Sequence, residues 1–277
     1  GKGHSSMTKE STKTGILLVT FGTSNATARQ AFDNIEKLAE ERFENTEIRW
    51  AYTSHMIRHI LAKQGKSLDS PAAALAKMRD DGFTKVAVQS LHVIAGAEYN
   101  DLKDTVQTFR RQPFGFDSIT LGEPLLASYD DVQEVCKAML AQVPEERQED
   151  DAVIFMGHGT HHPAGLTYLA VNSVLNHLDN RAYLGAVEGH PTLQSVLQHC
   201  RAAEVQKAWL MPFMSVAGDH ARNDMAGNSE DSWQSTFEDN GLECKSILTG
   251  MGEYDSVAGV WIKHLAEALK ELHQPNK

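Results

Sequence analysis

Apolar runs alternate with amphipathic stretches along most of the chain. The runs predict strands at residues 15–21, 47–53, 85–92, 118–121, 152–156, 181–187, 207–213 and 243–247. Near-continuous apolar character is what strands covered on both faces require. Helical spacing marks the segments between them. In 26–43 it sets Ala28, Ala31, Phe32, Ile35, Leu38 and Ala39 on one stripe. In 70–79, Asp69 and Ser70 stand as caps before Pro71, a residue suited to a first helical position. Further helices are predicted at 98–111, 129–142, 165–176, 192–201, 229–240 and 256–272. Strand then helix, four times and then four times again, predicts an α/β protein of two doubly wound parallel sheets. The acidic, helix-poor stretch 144–151 is the expected junction, giving lobes at 15–145 and 146–277. Residues 1–14 are polar and aperiodic and are expected to form a disordered tail.

The two halves repeat each other where chemistry would sit. Ile16-Leu-Leu-Val-Thr-Phe-Gly22-Thr23-Ser24 parallels Ala152-Val-Ile-Phe-Met-Gly157-His158-Gly159, which sets Thr23 opposite His158. Ile94-Ala-Gly-Ala-Glu98 parallels Val216-Ala-Gly-Asp-His220, and Ala51-Tyr-Thr53-Ser-His55 more loosely parallels Ala186-Val-Glu188-Gly-His190. Each is an apolar stretch, a small-residue turn and then a polar side chain. Open parallel sheets bind ligands beyond the carboxyl ends of their strands, where all of these residues fall. If the ends converge on one cleft, His158, Glu188, His220 and Glu98 meet there. Two imidazoles with carboxylates suit a borderline divalent cation such as cobalt, nickel, zinc or ferrous iron.

Each residue also has a plainer reading. His158, His161 and His162 could be solvated around a turn, and Glu188 could cap a helix, with His190 its rival for a metal. Asp219 could orient an imidazole. Glu98 could accept a proton, add a ligand, or simply occupy the first turn of its helix.

Composition narrows the class. Of 277 residues, 41% are hydrophobic and 23% charged, as in a folded globular protein. A net charge of −11 argues against nucleic-acid binding. No apolar run reaches the ~20 residues of a membrane-spanning helix. Cys136, Cys200 and Cys244 are widely spaced and read as buried thiols. There is no phosphate-binding loop and no nucleophile elbow. Residues 1–6 read as a tag remnant or as the mature end left by a removed signal peptide. The second alternative would place the protein in the periplasm, the first in the cytoplasm.

The chain resembles the class II chelatases of tetrapyrrole synthesis, and within them the anaerobic sirohydrochlorin cobalt chelatases. The resemblance rests on Leu17-Leu-Val-Thr-Phe-Gly-Thr-Ser24, Ser90-Leu-His-Val-Ile-Ala-Gly-Ala-Glu-Tyr99, Gly157-His-Gly-Thr160, Val187-Glu-Gly-His-Pro191 and Pro212-Phe-Met-Ser-Val-Ala-Gly-Asp-His-Ala221, and it covers roughly 15–272. It implies two flavodoxin-like lobes related by duplication, with the active-site cleft between them. It implies ATP-independent insertion of Co²⁺ into sirohydrochlorin, with Fe²⁺ or Ni²⁺ as alternative metals. The family histidines match His158 and His220, and its acidic positions match Glu98 and Glu188. On this reading His158, Glu188 and His220 hold the metal, in the second lobe, and His158, Glu98 and His220 carry the catalysis. Thr23, Ser24, Arg58, His92 and Arg222 are candidate substrate contacts. Because the substrate bears eight carboxylates, Arg49, Lys85, His55 and His59 join Arg58 and Arg222 as candidate counter-charges. Some relatives are exported and carry haem at a subunit interface; His92 reads either as a buried, satisfied histidine or as an axial ligand for haem, and haem binding and a homo-oligomer are left open by the sequence. A metal or tetrapyrrole carrier and a ferrochelatase-type enzyme are the competing functions.

Overall fold

A computed structural model describes residues 12–274 apart from 112 and 114. Among the described residues, eight strands form two four-stranded sheets, parallel throughout. The first contains β1 (Thr14–Thr20), β2 (Glu47–Tyr52), β3 (Lys85–Ser90) and β4 (Ser118–Gly122) in the order β2-β1-β3-β4. The second contains β5 (Ala152–Gly159), β6 (Ala182–Glu188), β7 (Lys207–Phe213) and β8 (Glu243–Ser246) in the order β6-β5-β7-β8. One order used twice is the structural form of the sequence repeat. The connecting helices are α1 (Gln30–Arg42), α2 (His55–Lys63), α3 (Pro71–Asp80), α4 (Ala97–Arg111), α5 (Tyr129–Leu140), α6 (Leu166–Leu178), α7 (Leu193–Ala202), α8 (Asp219–Ala226), α9 (Trp233–Asp239) and α10 (Asp255–Leu272). No described helix is long and apolar enough to cross a membrane.

Strand alternation divides the core. In β1, Ile16 and Leu18 face one cluster while Leu17 and Val19 face another. In β5, Val153 and Phe155 join the first of these, while Ile154 and Met156 belong to a third. The inner faces of both sheets therefore share a single core, filled by side chains of α1, α5, α6 and α10. Sequence order and lobe membership part company at the C-terminus. Helix α10 follows the last strand of the second sheet, yet it packs on β3 and β4 of the first, and α5 packs on α6. The pair His264–Asp131, 3.0 Å apart and almost wholly buried, ties α10 to α5.

Several boundaries differ from expectation for local reasons. Thr14 opens β1, and the Lys13 carbonyl accepts from the Thr84 amide at 2.8 Å, so the expected tail 1–14 loses its last residues to the sheet. The rest of that call, including 1–6, lies outside the described residues. Helix α1 starts at Gln30, four residues late, because the Asn25 side chain caps a preceding turn at the Ala28 amide. Helix α2 was not anticipated, although Ser54 caps it by accepting from the Ile57 amide. Helix α8 was not among the expected helices, although Asp219 was readable as a helix start. The cap and proline of α3 stand as expected, with the Ser70 hydroxyl accepting from the Ala73 amide. The three cysteines are buried and free. Burial pushes their thiols up, to about 12, 11 and 12 for Cys136, Cys200 and Cys244, which leaves them inert.

Candidate active site at the facing sheet edges

In each sheet the chain reverses its direction of winding between two central strands, β1 and β3 or β5 and β7. Ligands of doubly wound sheets bind beyond the carboxyl ends at that switch point. Four loops leave these points, and they meet in two cross-lobe pairs. After β1, the buried Thr23 stands against Gly218, which follows β7. Asn25 Nδ2 donates to Asp219 Oδ1 at 2.5 Å across the same boundary. At the end of β5, His158 lies within electrostatic range of Glu98, which follows β3. The β1–β7 and β5–β3 contacts are equivalent under the internal repeat. The repeat has filled one with neutral and acidic groups and the other with an imidazole and a carboxylate.

His158 sits on a strand rather than in the expected turn. Strand β5 continues through Gly159, which pairs with Glu188 of β6. Gly159 is at φ 73°, and a Cβ there would strike the Glu188 carbonyl. Gly157 leaves room for the Tyr168 ring. The glycines on either side thus let the chain stay packed while the histidine side chain is exposed. Its Nδ1 is 3.1 Å from the Gly159 carbonyl. A carbonyl only accepts, so Nδ1 carries the proton and Nε2 keeps a free lone pair.

Glu98 lies in the first turn of α4. Partial burial raises its carboxyl above the ordinary range, the imidazole of His158 opposes that shift, and Asp101 adds to it. Beside it, His92 is 8% exposed. Its Nδ1 is 2.7 Å from Ser90 Oγ and its Nε2 is 3.6 Å from Glu98 Oε2. With one ring nitrogen engaged and the other enclosed against a carboxylate, His92 does not fit an axial bond to haem iron.

Burial lowers the His92 pKa from 6.5 to about 4. The unfolded chain therefore binds the extra proton between those values and the folded chain does not. Stability from this group is complete above pH 6.5 and is lost as pH falls toward 4. We expect about 2 kcal/mol less His92-dependent stability at pH 5 than at pH 7. Urea denaturation at the two pH values, compared between wild type and His92→Gln, measures it. Equal pH dependence in the two proteins would contradict a neutral buried imidazole.

The remaining expected residues are distributed differently. Among the described residues, no three His, Cys, Asp or Glu side chains form a group able to hold a metal ion. His158, Glu188 and His220 are thus not a ready-made triad. His220 is 82% exposed and bonds Asp224 at 3.0 Å, one turn along α8. Asp219, expected to orient an imidazole, bonds Asn25 instead. Arg58 donates to the Tyr52 and Thr53 carbonyls, and Arg222 to those of Ala217 and Leu248, so both brace loops at the carboxyl edge. Arg49 pairs with Glu47 and Asp81, and Lys85 opens β3, which removes both from that edge. Thr23 Oγ1 accepts from the Asn25 amide and is spent on the turn, while Ser24 is half-buried beside it. His55 and His59 stack on the exposed side of α2, ring centroids 6.4 Å apart.

Ser90, Tyr168 and Asp224 belong to the site and were not singled out from sequence. The four-residue spacing of His220 and Asp224 was the available signal, once α8 is known to be a helix. A cavity of about 560 Å³ opens between the end of β6, α7 and α8. Asp224 and Asp231 line it and no Lys or Arg does, so it does not suit a polycarboxylate.

Comparison with known proteins shows the family of the chain. Sirohydrochlorin cobaltochelatase CbiKC of Nitratidesulfovibrio vulgaris is 42% identical over 261 residues, covering 94% of this chain and 92% of that protein. The sirohydrochlorin cobaltochelatase of Salmonella typhimurium is 36% identical over 259 residues, covering 93% and 97%. The sirohydrochlorin chelatase SirB from Bacillus subtilis subspecies spizizenii, solved in complex with cobalt, has the same fold at a TM-score of 0.64 and 14% identity, covering 94% of this chain and 96% of that one. The cobalt chelatase (CbiK) family matches residues 14–270, and the chain belongs to that family.

Proposed function

We propose that the protein inserts Co²⁺ into sirohydrochlorin without nucleotide hydrolysis. The observation that carries this reading is an imidazole of one lobe, its Nε2 free, within electrostatic range of a carboxyl of the other, in a chain of the cobalt chelatase family. Insertion must strip water from the ion and remove two pyrrole N–H protons. His158 Nε2, with its lone pair free, serves first as a ligand that displaces water from Co²⁺ and then as an acceptor as the ion moves to the macrocycle. Glu98 takes a proton from the opposite side. A carboxyl whose pKa lies above the usual range is a stronger base, and so better matched to that step at neutral pH. Once both protons have left, the ring dianion binds the ion and charge balances.

Glu188 and His220 complete the metal set in this reading. Glu188 ends β6 directly beside Gly159. His220 is exposed and free to rotate, and joins by exchanging its Asp224 partner for the ion. The site therefore assembles as the metal arrives. Arg58 and Arg222, held by backbone carbonyls near the carboxyl edges, offset part of the substrate's charge.

The test is turnover. Sirohydrochlorin and Co²⁺ are mixed anaerobically with substoichiometric protein, and the change in the macrocycle absorption spectrum is followed. Many equivalents of cobalt-sirohydrochlorin per protein are expected. One equivalent and no more would support a carrier instead, and faster insertion of Fe²⁺ or Ni²⁺ in parallel would reassign the metal.

A further inference from the structure

We infer that His92 is a positioning residue that holds the Glu98 carboxylate in place through its Nε2–H. The inference rests on the reading of Glu98 as proton acceptor. Nε2 of His92 is fully buried and has no hydrogen-bond partner. Folded proteins rarely leave such an atom unpaired without a use for it. Glu98 Oε2 stands 3.6 Å from it, longer than a hydrogen bond and short enough to close by a small movement of an exposed side chain.

The tautomer follows from what surrounds the ring. Ser90 Oγ receives the His92 backbone N–H at 3.1 Å and stands 2.7 Å from Nδ1. If the hydroxyl proton is given to Nδ1, Nε2 carries N–H toward the carboxylate. The other tautomer would aim the buried lone pair at a carboxylate, two acceptors facing each other. The first arrangement is the stable one.

His92 is also well anchored. Its carbonyl accepts from the Leu125 amide at 2.9 Å and from Trp261 Nε1 at 3.1 Å, so segments after β4 and on α10 hold it. Glu98, by contrast, is 55% exposed. A fixed donor behind a mobile acid is the arrangement of a support for a working group. The other groups acting on Glu98 are His158 on β5, Asp101 on its own helix and Tyr168 on α6. None of them supplies a second anchored neutral N–H.

The experiment compares His92→Phe, His92→Asn and His92→Gln in the full chain. The Gln amide reaches about as far as Nε2, whereas the Asn amide stops near Nδ1. We expect kcat for cobalt insertion to fall roughly tenfold to a hundredfold in the Phe and Asn variants, with KM for sirohydrochlorin unchanged. Gln should restore most of it. In a Glu98→Gln background the same changes should have no further effect. Independently of turnover, ¹³C NMR of the Glu98 side-chain carboxyl, assigned by its loss in Glu98→Gln, should titrate at higher pH in the Phe and Asn variants. Losing a donor disfavours the charged carboxylate, and Gln should return the midpoint. An unmoved carboxyl midpoint, or an equal rate loss with and without Glu98, would overturn the proposal. If the wild type itself does not insert cobalt, the functional reading falls, and the carboxyl titration still decides whether His92 supports Glu98. Should the Phe variant not fold, the Asn and Gln pair carries the comparison.

Discussion

Replacing His158 by alanine is expected to lower cobalt insertion by about a thousandfold or more and to leave the fold intact. Two roles are lost at once. A positioned acid–base group alone contributes roughly 10²–10⁴ in rate, and a missing metal ligand adds to that. Stability should barely change, because the imidazole is exposed and bonds the neighbouring Gly159 carbonyl. Surface changes of this kind fall within about 0.5 kcal/mol. Initial rates of the absorbance change, with thermal melting of the same samples, measure both halves of the prediction. His158→Gln should be nearly as slow, since an amide cannot accept a pyrrole proton. Near wild-type rates in either variant would move the chemistry elsewhere. A melting point lowered by many degrees would mean that His158 serves the fold.

Much of the fold is legible in the sequence. Strands read from continuous apolar runs were found to within a few residues, since burial on both faces leaves a simple signature. The repeat was legible too, because equal loops follow equal strands. Three things were not. Helix α10 was recognisable as a helix, but its apolar stripe does not say which sheet it covers. The partner of a polar side chain was equally hidden. Asp219 could be placed at a helix start, but not against Asn25, 194 positions away in sequence. The chemical state of His92 depends on Ser90 two residues before it, on burial, and on a carboxylate brought up by the next helix. Its type and spacing were compatible with a packed core histidine, a substrate contact or a haem ligand. Only the enclosed, unpaired Nε2 separates these.

The exchange of helices between lobes makes a second large effect predictable, at a residue far from the reacting atoms. Trp261→Ala is expected to destabilise the protein by about 3–5 kcal/mol. Trp261 is the largest of the fully buried side chains and sits on α10, inside the core shared by both sheets. Its loss leaves a cavity in that shared core that well-packed neighbours close only in part. For a chain of this size each kcal/mol moves the melting point by about 2–4 °C, so calorimetry should show a fall of roughly 6–20 °C. Trp261→Phe keeps most of the packing and removes the N–H bond to the His92 carbonyl. It should cost roughly 1–2 kcal/mol. A Trp261→Ala melting point within about 2 °C of wild type would mean that α10 does not bind the lobes together. The same variant, assayed well below its melting point, should also insert cobalt more slowly, because the Trp261 bond fixes the backbone from which His92 reaches Glu98. A destabilised protein with an unchanged rate would separate the two functions of the helix, keeping its role in the core and removing its hold on the site.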